Sequence, residues 1–226
     1  MWVKICGNTN LDDAQHAIEA GADALGFIFA PSPRQVTLQQ VRRMTPHLPH
    51  AAETYGVFVD TSADEIIRTV LEAGLCGVQL HAPGELRMAE TLRRRFLALH
   101  AETIKIVSVL TFDETLQDQL ESAAASADAV LVDTRSATRA GGTGKRWDWA
   151  AGSTAFRGAA GRMRVIAAGG LDPTNVEEAV RTLLPWGVDV VTGVEAAPGR
   201  KNQQRVEDFI RSAKNNAAVT QALPVA

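Results

Sequence analysis

Short apolar runs rich in valine and isoleucine recur eight times along the chain, each separated from the next by a longer amphipathic stretch. Runs of that length and branching read as strands, and the stretches between them as helices. The expected strands are Val3–Cys6, Ala24–Phe29, Tyr55–Val59, Cys76–Leu80, Ile104–Val109, Ala129–Val132, Arg164–Ala167 and Val188–Val191. Eight βα units in 226 residues, with no linker, composition break or charge block, predict α/β architecture: a single (β/α)8 barrel of the TIM type with eight parallel strands, over residues 1–215. A doubly wound open sheet shares the same alternation. Residues 216–226, uncharged and aperiodic, are expected to form a disordered tail.

Helix starts carry their own signals. Thr37 with Gln40, Ser62 with Glu65, Thr111 with Glu114 and Thr174 with Glu177 have the capping-box spacing, in which two orphan backbone donors are satisfied reciprocally. Leu38, Val41, Met44 and Leu48 fall on one helical face, as do Ile66, Ile67, Val70 and Leu71. Gly21 and Gly74 suit left-handed helix ends. A weak echo, Ala22-Asp23-Ala24, Ala127-Asp128-Ala129 and Val188-Asp189-Val190, places an aspartate at or near three strand starts.

A net charge of −3 shows no basic excess for nucleic acid, and 46% hydrophobic residues exclude an acidic disordered chain. No apolar run reaches the length of a membrane span. Two widely spaced cysteines, Cys6 and Cys76, and a start without a signal peptide point to a cytoplasmic protein. A monomer or a homodimer is expected, a choice the sequence leaves open. Five scattered histidines form no ligand cluster, so no metal is expected, and the absence of GxGxxG or a P-loop leaves no cofactor expected.

A barrel of this type carries its chemistry at the carboxyl ends of its strands, with phosphate often bound after strands seven and eight. Those ends read Ala168-Gly169-Gly170 and Thr192-Gly193-Val194-Glu195. Glycines let backbone amides approach an anion, though either loop alone could equally be a tight turn. A long polar loop after strand six contains Gly141-Gly142-Thr143-Gly144. It reads as a cover over a phosphorylated ligand or as a solvated excursion. Cys6 and Asp133 end strands one and six. A thiolate accepts a proton from carbon and a carboxylic acid donates one to oxygen, but a lone cysteine is more often a buried small hydrophobe. Arg34 suits an anionic ligand or a surface ion pair, and His81 a ligand contact or a structural role.

Taken in order, these segments resemble the phosphoribosylanthranilate isomerases of tryptophan biosynthesis. The similar stretches are Lys4-Ile5-Cys6-Gly7-Asn8-Thr9, Gly26-Phe27-Ile28-Phe29 with Ser32-Pro33-Arg34, and Val78-Gln79-Leu80-His81. They continue with Leu131-Val132-Asp133, Gly141-Gly142-Thr143-Gly144, Ala168-Gly169-Gly170-Leu171, Gly187-Val188-Asp189-Val190 and Gly193-Val194-Glu195. The resemblance implies an Amadori rearrangement of N-(5-phosphoribosyl)anthranilate, a small phosphosugar substrate, without cofactor. It implies Asp133 as general acid, Cys6 as general base, and Arg34 on the anthranilate carboxylate with His81 and Asp189 nearby. Gly142, Thr143, Gly144, Gly169, Gly170, Thr192 and Gly193 would hold phosphate. The chain departs from that pattern at Ala82-Pro83-Gly84, at Trp147 and at Val191-Thr192, where a hydroxyl is lost. A histidine-pathway sister isomerase and a catalytically silent phosphosugar-binding barrel are the alternatives.

Overall fold

The structure, a computed structural model, describes residues 1–81, 85–133 and 147–221, with Glu85, Leu86 and residues 216–221 as backbone alone. Eight strands, β1 (Trp2–Ile5), β2 (Ala24–Ile28), β3 (Glu53–Phe58), β4 (Gly77–Leu80), β5 (Lys105–Thr111), β6 (Ala129–Asp133), β7 (Arg164–Ala167) and β8 (Gly187–Val190), lie in sequence order in one closed barrel. Every neighbouring pair is parallel, and β8 closes on β1 with Lys4 opposite Asp189 and Ile5 opposite Val190. The closed barrel, not the open sheet, is therefore the architecture.

Helices α1 (Leu11–Glu19), α2 (Leu38–Met44), α3 (Ala63–Ala73), α4 (Glu85–Ala98), α5 (Leu116–Ala123), α6 (Trp149–Ala159), α7 (Val176–Leu183) and α8 (Gln203–Gln221) alternate with the strands. α8 runs six residues into the stretch expected to be a tail, and residues 222–226 lie outside the described ones. After β8 the chain adds a short 3-10 turn, Thr192–Val194, and a small antiparallel hairpin of β9 (Glu195–Ala197) and β10 (Arg200–Lys201). No pattern in the sequence announces that hairpin.

Local signals succeed where the chain is free to use them. Thr37 and Gln40 form the full reciprocal cap of α2, and Ser62 accepts from the Glu65 amide at the start of α3. Gly74 ends α3 with φ +64°. Two expected boxes fail. Thr111 is a ladder residue of β5, opposite Asp133, so α5 begins at Leu116. Thr174 gives its hydroxyl to Asp172, and Asn175 stands at the start of α7. Leu71 was expected on the packed face of α3, yet it is 46% exposed while Ile66, Ile67 and Val70 are buried. It lies at the edge of the apolar stripe, beyond the reach of the barrel wall.

Candidate active site at the barrel mouth

A parallel strand turns successive side chains alternately toward the barrel interior and the surrounding helices. On β1, Val3 and Ile5 join the helix-facing core while Trp2 packs against the interior cluster. Lys4 and Cys6 share the parity of Trp2. The same alternation places Asp133 with Ala129 and Leu131 on the inside of β6, and Asp189 opposite in sense to Val188 and Val190 of β8. His81 follows β4 with the parity opposite to Val78 and Leu80. Four side chains selected from sequence thus converge from four strands on one mouth.

Cys6 is the first residue past β1, and its amide donates to the Val190 carbonyl at 2.9 Å. Its thiol lies among Ile28, Ala30 and Val57, 2% exposed. A Cβ at Gly26 would come within 2.3 Å of the Cys6 sulfur, so glycine in β2 makes room for it. Beneath it, Lys4 is 1% exposed and its ammonium donates to Asp189 Oδ1 at 2.6 Å. Burial pushes the Cys6 thiol up; the Lys4 ammonium draws it back down, the Asp189 carboxylate pushes it up, and Lys201 lowers it again. The balance leaves the thiol above its ordinary value. Burial also lowers the His81 imidazole, against the opposing pull of Asp133 and Asp189.

Arg34, expected to face a ligand carboxylate, is 7% exposed and closes its fork on Glu195. Its Nε donates to Oε1 at 2.8 Å and its Nη2 to Oε2 at 2.6 Å, with Nη2 also 3.3 Å from the Thr192 hydroxyl. Glu195 accepts in addition from the Gly199 amide and lies 3.4 Å from the Lys201 ammonium. Burial raises the Glu195 carboxyl, but Arg34, Lys201 and the Gly199 amide outweigh it and hold the group below its usual range. Lys201 reaches across the mouth to donate to the Cys6 carbonyl at 2.6 Å.

Gly169 and Gly170 both adopt left-handed backbone, with φ +80° and +69°. Gly193 presses on the neighbouring loop so closely that a Cβ would meet the Leu171 carbonyl at 2.0 Å. Asn175 clamps the first loop, donating to the Gly170 carbonyl and accepting from the Asp172 amide. A cavity of about 120 Å³ lies between these loops, and Asp133, Asp189, Gly169, Gly170, Thr192 and Gly193 all line it. Gly142, Thr143 and Gly144 lie outside the described residues, as do Ala82, Pro83 and Gly84.

Residues 3–212 match the family model described as N-(5'-phosphoribosyl)anthranilate (PRA) isomerase. The chain belongs to that family. Its relative from Pelobacter propionicus, an N-(5'-phosphoribosyl)anthranilate isomerase, is 41% identical over 213 residues, covering 94% of this chain and 95% of its own. The phosphoribosylanthranilate isomerase structure from Thermotoga maritima superposes with a TM-score of 0.81 at 32% identity, covering 95% of this chain and 99% of its own. A phosphoribosylanthranilate isomerase in complex with reduced 1-(o-carboxyphenylamino)-1-deoxyribulose 5-phosphate has a TM-score of 0.78 at 31% identity, covering 95% and 99%.

Three further buried charges stand at the mouth, Lys4, Glu195 and Lys201, none of them a sequence candidate for the site. Lys4 carried a usable signal, a lysine two residues before Cys6 in a strand and hence on the same side. Glu195 stands in a stretch that carries the resemblance, but no local pattern marks Glu195 or Lys201 as a site charge, because the hairpin that returns them to the mouth is a tertiary feature.

Proposed function

We propose that this chain converts N-(5'-phosphoribosyl)anthranilate to 1-(2-carboxyphenylamino)-1-deoxyribulose 5-phosphate, a cytoplasmic step of tryptophan biosynthesis. The observation that carries the reading is a thiol and a carboxyl group on inward-facing strand ends of one mouth, beside two glycine loops, in a chain whose family is established along its length.

Asp133 donates a proton to the furanose ring oxygen as the C1–O bond breaks, and the nitrogen lone pair closes a C1=N Schiff base. The Cys6 thiolate then takes the C2 proton, and that bonding pair forms the C1=C2 bond of an enolamine while the C=N electrons return to nitrogen. Loss of the O2 proton and protonation at C1 give the ketone. Atoms are conserved and no external oxidant or reductant enters. General acid and base groups of this kind each contribute about 10²–10⁴-fold. The glycine loops and the Thr192 hydroxyl receive the phosphate. Arg34, anchored by Glu195, offers its remaining Nη1 edge to the anthranilate carboxylate, with His81 and Asp189 close by.

The test follows the fluorescence of phosphoribosylanthranilate, with the purified protein expected to consume it in the absence of added metal or cofactor. Persistent fluorescence with a folded protein would reject the activity while leaving the barrel intact.

A further inference from the structure

We propose that Lys4 is a positioning residue for the reaction: its ammonium, fixed in the barrel by Asp189, stands beneath Cys6 and favours the thiolate over the thiol. Lys4 and Cys6 are two residues apart around β1 and face the same interior, where the barrel wall excludes water from both. An ammonium 1% exposed needs a counter-charge, and the register of β1 against β8 supplies it, with Lys4 directly opposite Asp189 and a 2.6 Å ion pair between them. Asp189 thus keeps Lys4 charged, and Lys4 acts on the one thiol above it. The interaction is reciprocal: burial pulls Lys4 down, but Asp189 and Cys6 together hold it above the ordinary lysine value.

Among the described residues, three charged side chains weigh most on Cys6. Lys4 on β1 and Lys201 on β10 favour the thiolate, and Asp189 on β8 opposes it. Ile28, Ala30 and Val57 pack against Cys6 as apolar neighbours, and Gly26 leaves room for the sulfur. Lys201 directs its hydrogen bonds to the Cys6 and Val191 carbonyls and to Glu195, and Lys4 is the stronger of the two ammonium influences on the thiol.

The inference rests on Cys6 as base, so its test reads the thiolate without substrate. In a Cys76→Ser background, Cys6 is the sole thiol, and its ionisation is followed by thiolate ultraviolet absorbance against pH, with Cys6→Ser subtracted. The single tyrosine, Tyr55, does not interfere, because burial and Glu53 push its phenol far above this range. Lys4→Met is expected to raise the thiolate midpoint by about one pH unit, a tenfold loss of thiolate at any pH below it. kcat should fall with it and recover toward alkaline pH, with KM little changed, and Lys4→Arg should restore the midpoint. A structural role would instead lower activity at every pH without moving the midpoint.

Lys4→Met strands Asp189, so Lys4→Gln/Asp189→Asn serves as a second variant in which a neutral hydrogen bond replaces the ion pair. Its midpoint should also rise, by less. An unmoved midpoint in either folded variant overturns the proposal. Absence of wild-type turnover together with the expected midpoint shift would instead overturn the proposed activity and leave the influence of Lys4 on the thiol standing.

Discussion

At the scale of single residues, chemistry at the mouth is decided by which side of a strand a side chain takes. The three echoing aspartates make the point. Asp23 and Asp128 immediately precede β2 and β6 and accept the Val3 and Ile106 amides, at 2.8 and 2.7 Å, pinning each neighbouring strand. Asp189 stands two residues inside β8 and turns inward to Lys4. One motif in sequence therefore serves two physical ends, and only the register separates them. Cys6→Ala is expected to lower kcat by about 10²–10⁴-fold, read by the fluorescence assay, and retained activity would reject the base. Asp133→Asn should lose kcat with little change in KM; a rise in KM alone would assign Asp133 to binding. Because burial holds the thiol above its ordinary value of 9.0, the thiolate fraction grows as pH rises through the neutral range. kcat/KM should accordingly climb toward alkaline pH, and a plateau already reached below neutrality would contradict a Cys6 base.

At the scale of elements, the loops after β7 and β8 act as one unit because they touch. Gly193 lies against the Leu171 carbonyl and the backbone of Asp172, where any side chain collides. Gly193→Ala must push the loops apart, at a cost of about 1–3 kcal/mol as for other overpacked sites. The expected result is a lower Tm and a raised KM for phosphorylated substrate, whereas an unchanged KM would remove this loop from phosphate binding. The β9–β10 hairpin matters for a different reason: it carries Glu195 and Lys201 back to Arg34 and Cys6. Glu195→Gln keeps the shape but loosens the fork, and KM should rise more than kcat falls. Sequence reads such elements unevenly. The Thr37 box is legible because its helix starts in open loop, but Thr111 is claimed by the β5–β6 ladder, a non-local bond that outcompetes a local cap.

At the scale of the molecule, closure of β8 on β1 joins the first and last barrel strands and places Lys4 against Asp189, 185 residues apart. Glu195 is held below the usual glutamate range and His81 below the usual histidine range. Both groups bind protons more readily unfolded than folded, so each contributes stability above its unfolded value that is lost as pH falls through its folded one. Stability should therefore decline from about pH 6.5 downward and again below about pH 4.5, and Glu195→Gln should flatten the second decline in a chemical-denaturation series. The sequence by itself determined the count of barrel strands and the place of Cys6, Asp133 and His81 at or just past their carboxyl ends, because a period of two and a period of 3.6 are written into apolar spacing. Only the tertiary structure decided that Arg34 is already held by Glu195, that Lys201 bridges to the Cys6 carbonyl and that Lys4 lies paired beneath the thiol. Those contacts join residues far apart in the chain, and barrel closure and register, which bring them together, leave no local pattern in the residues they join.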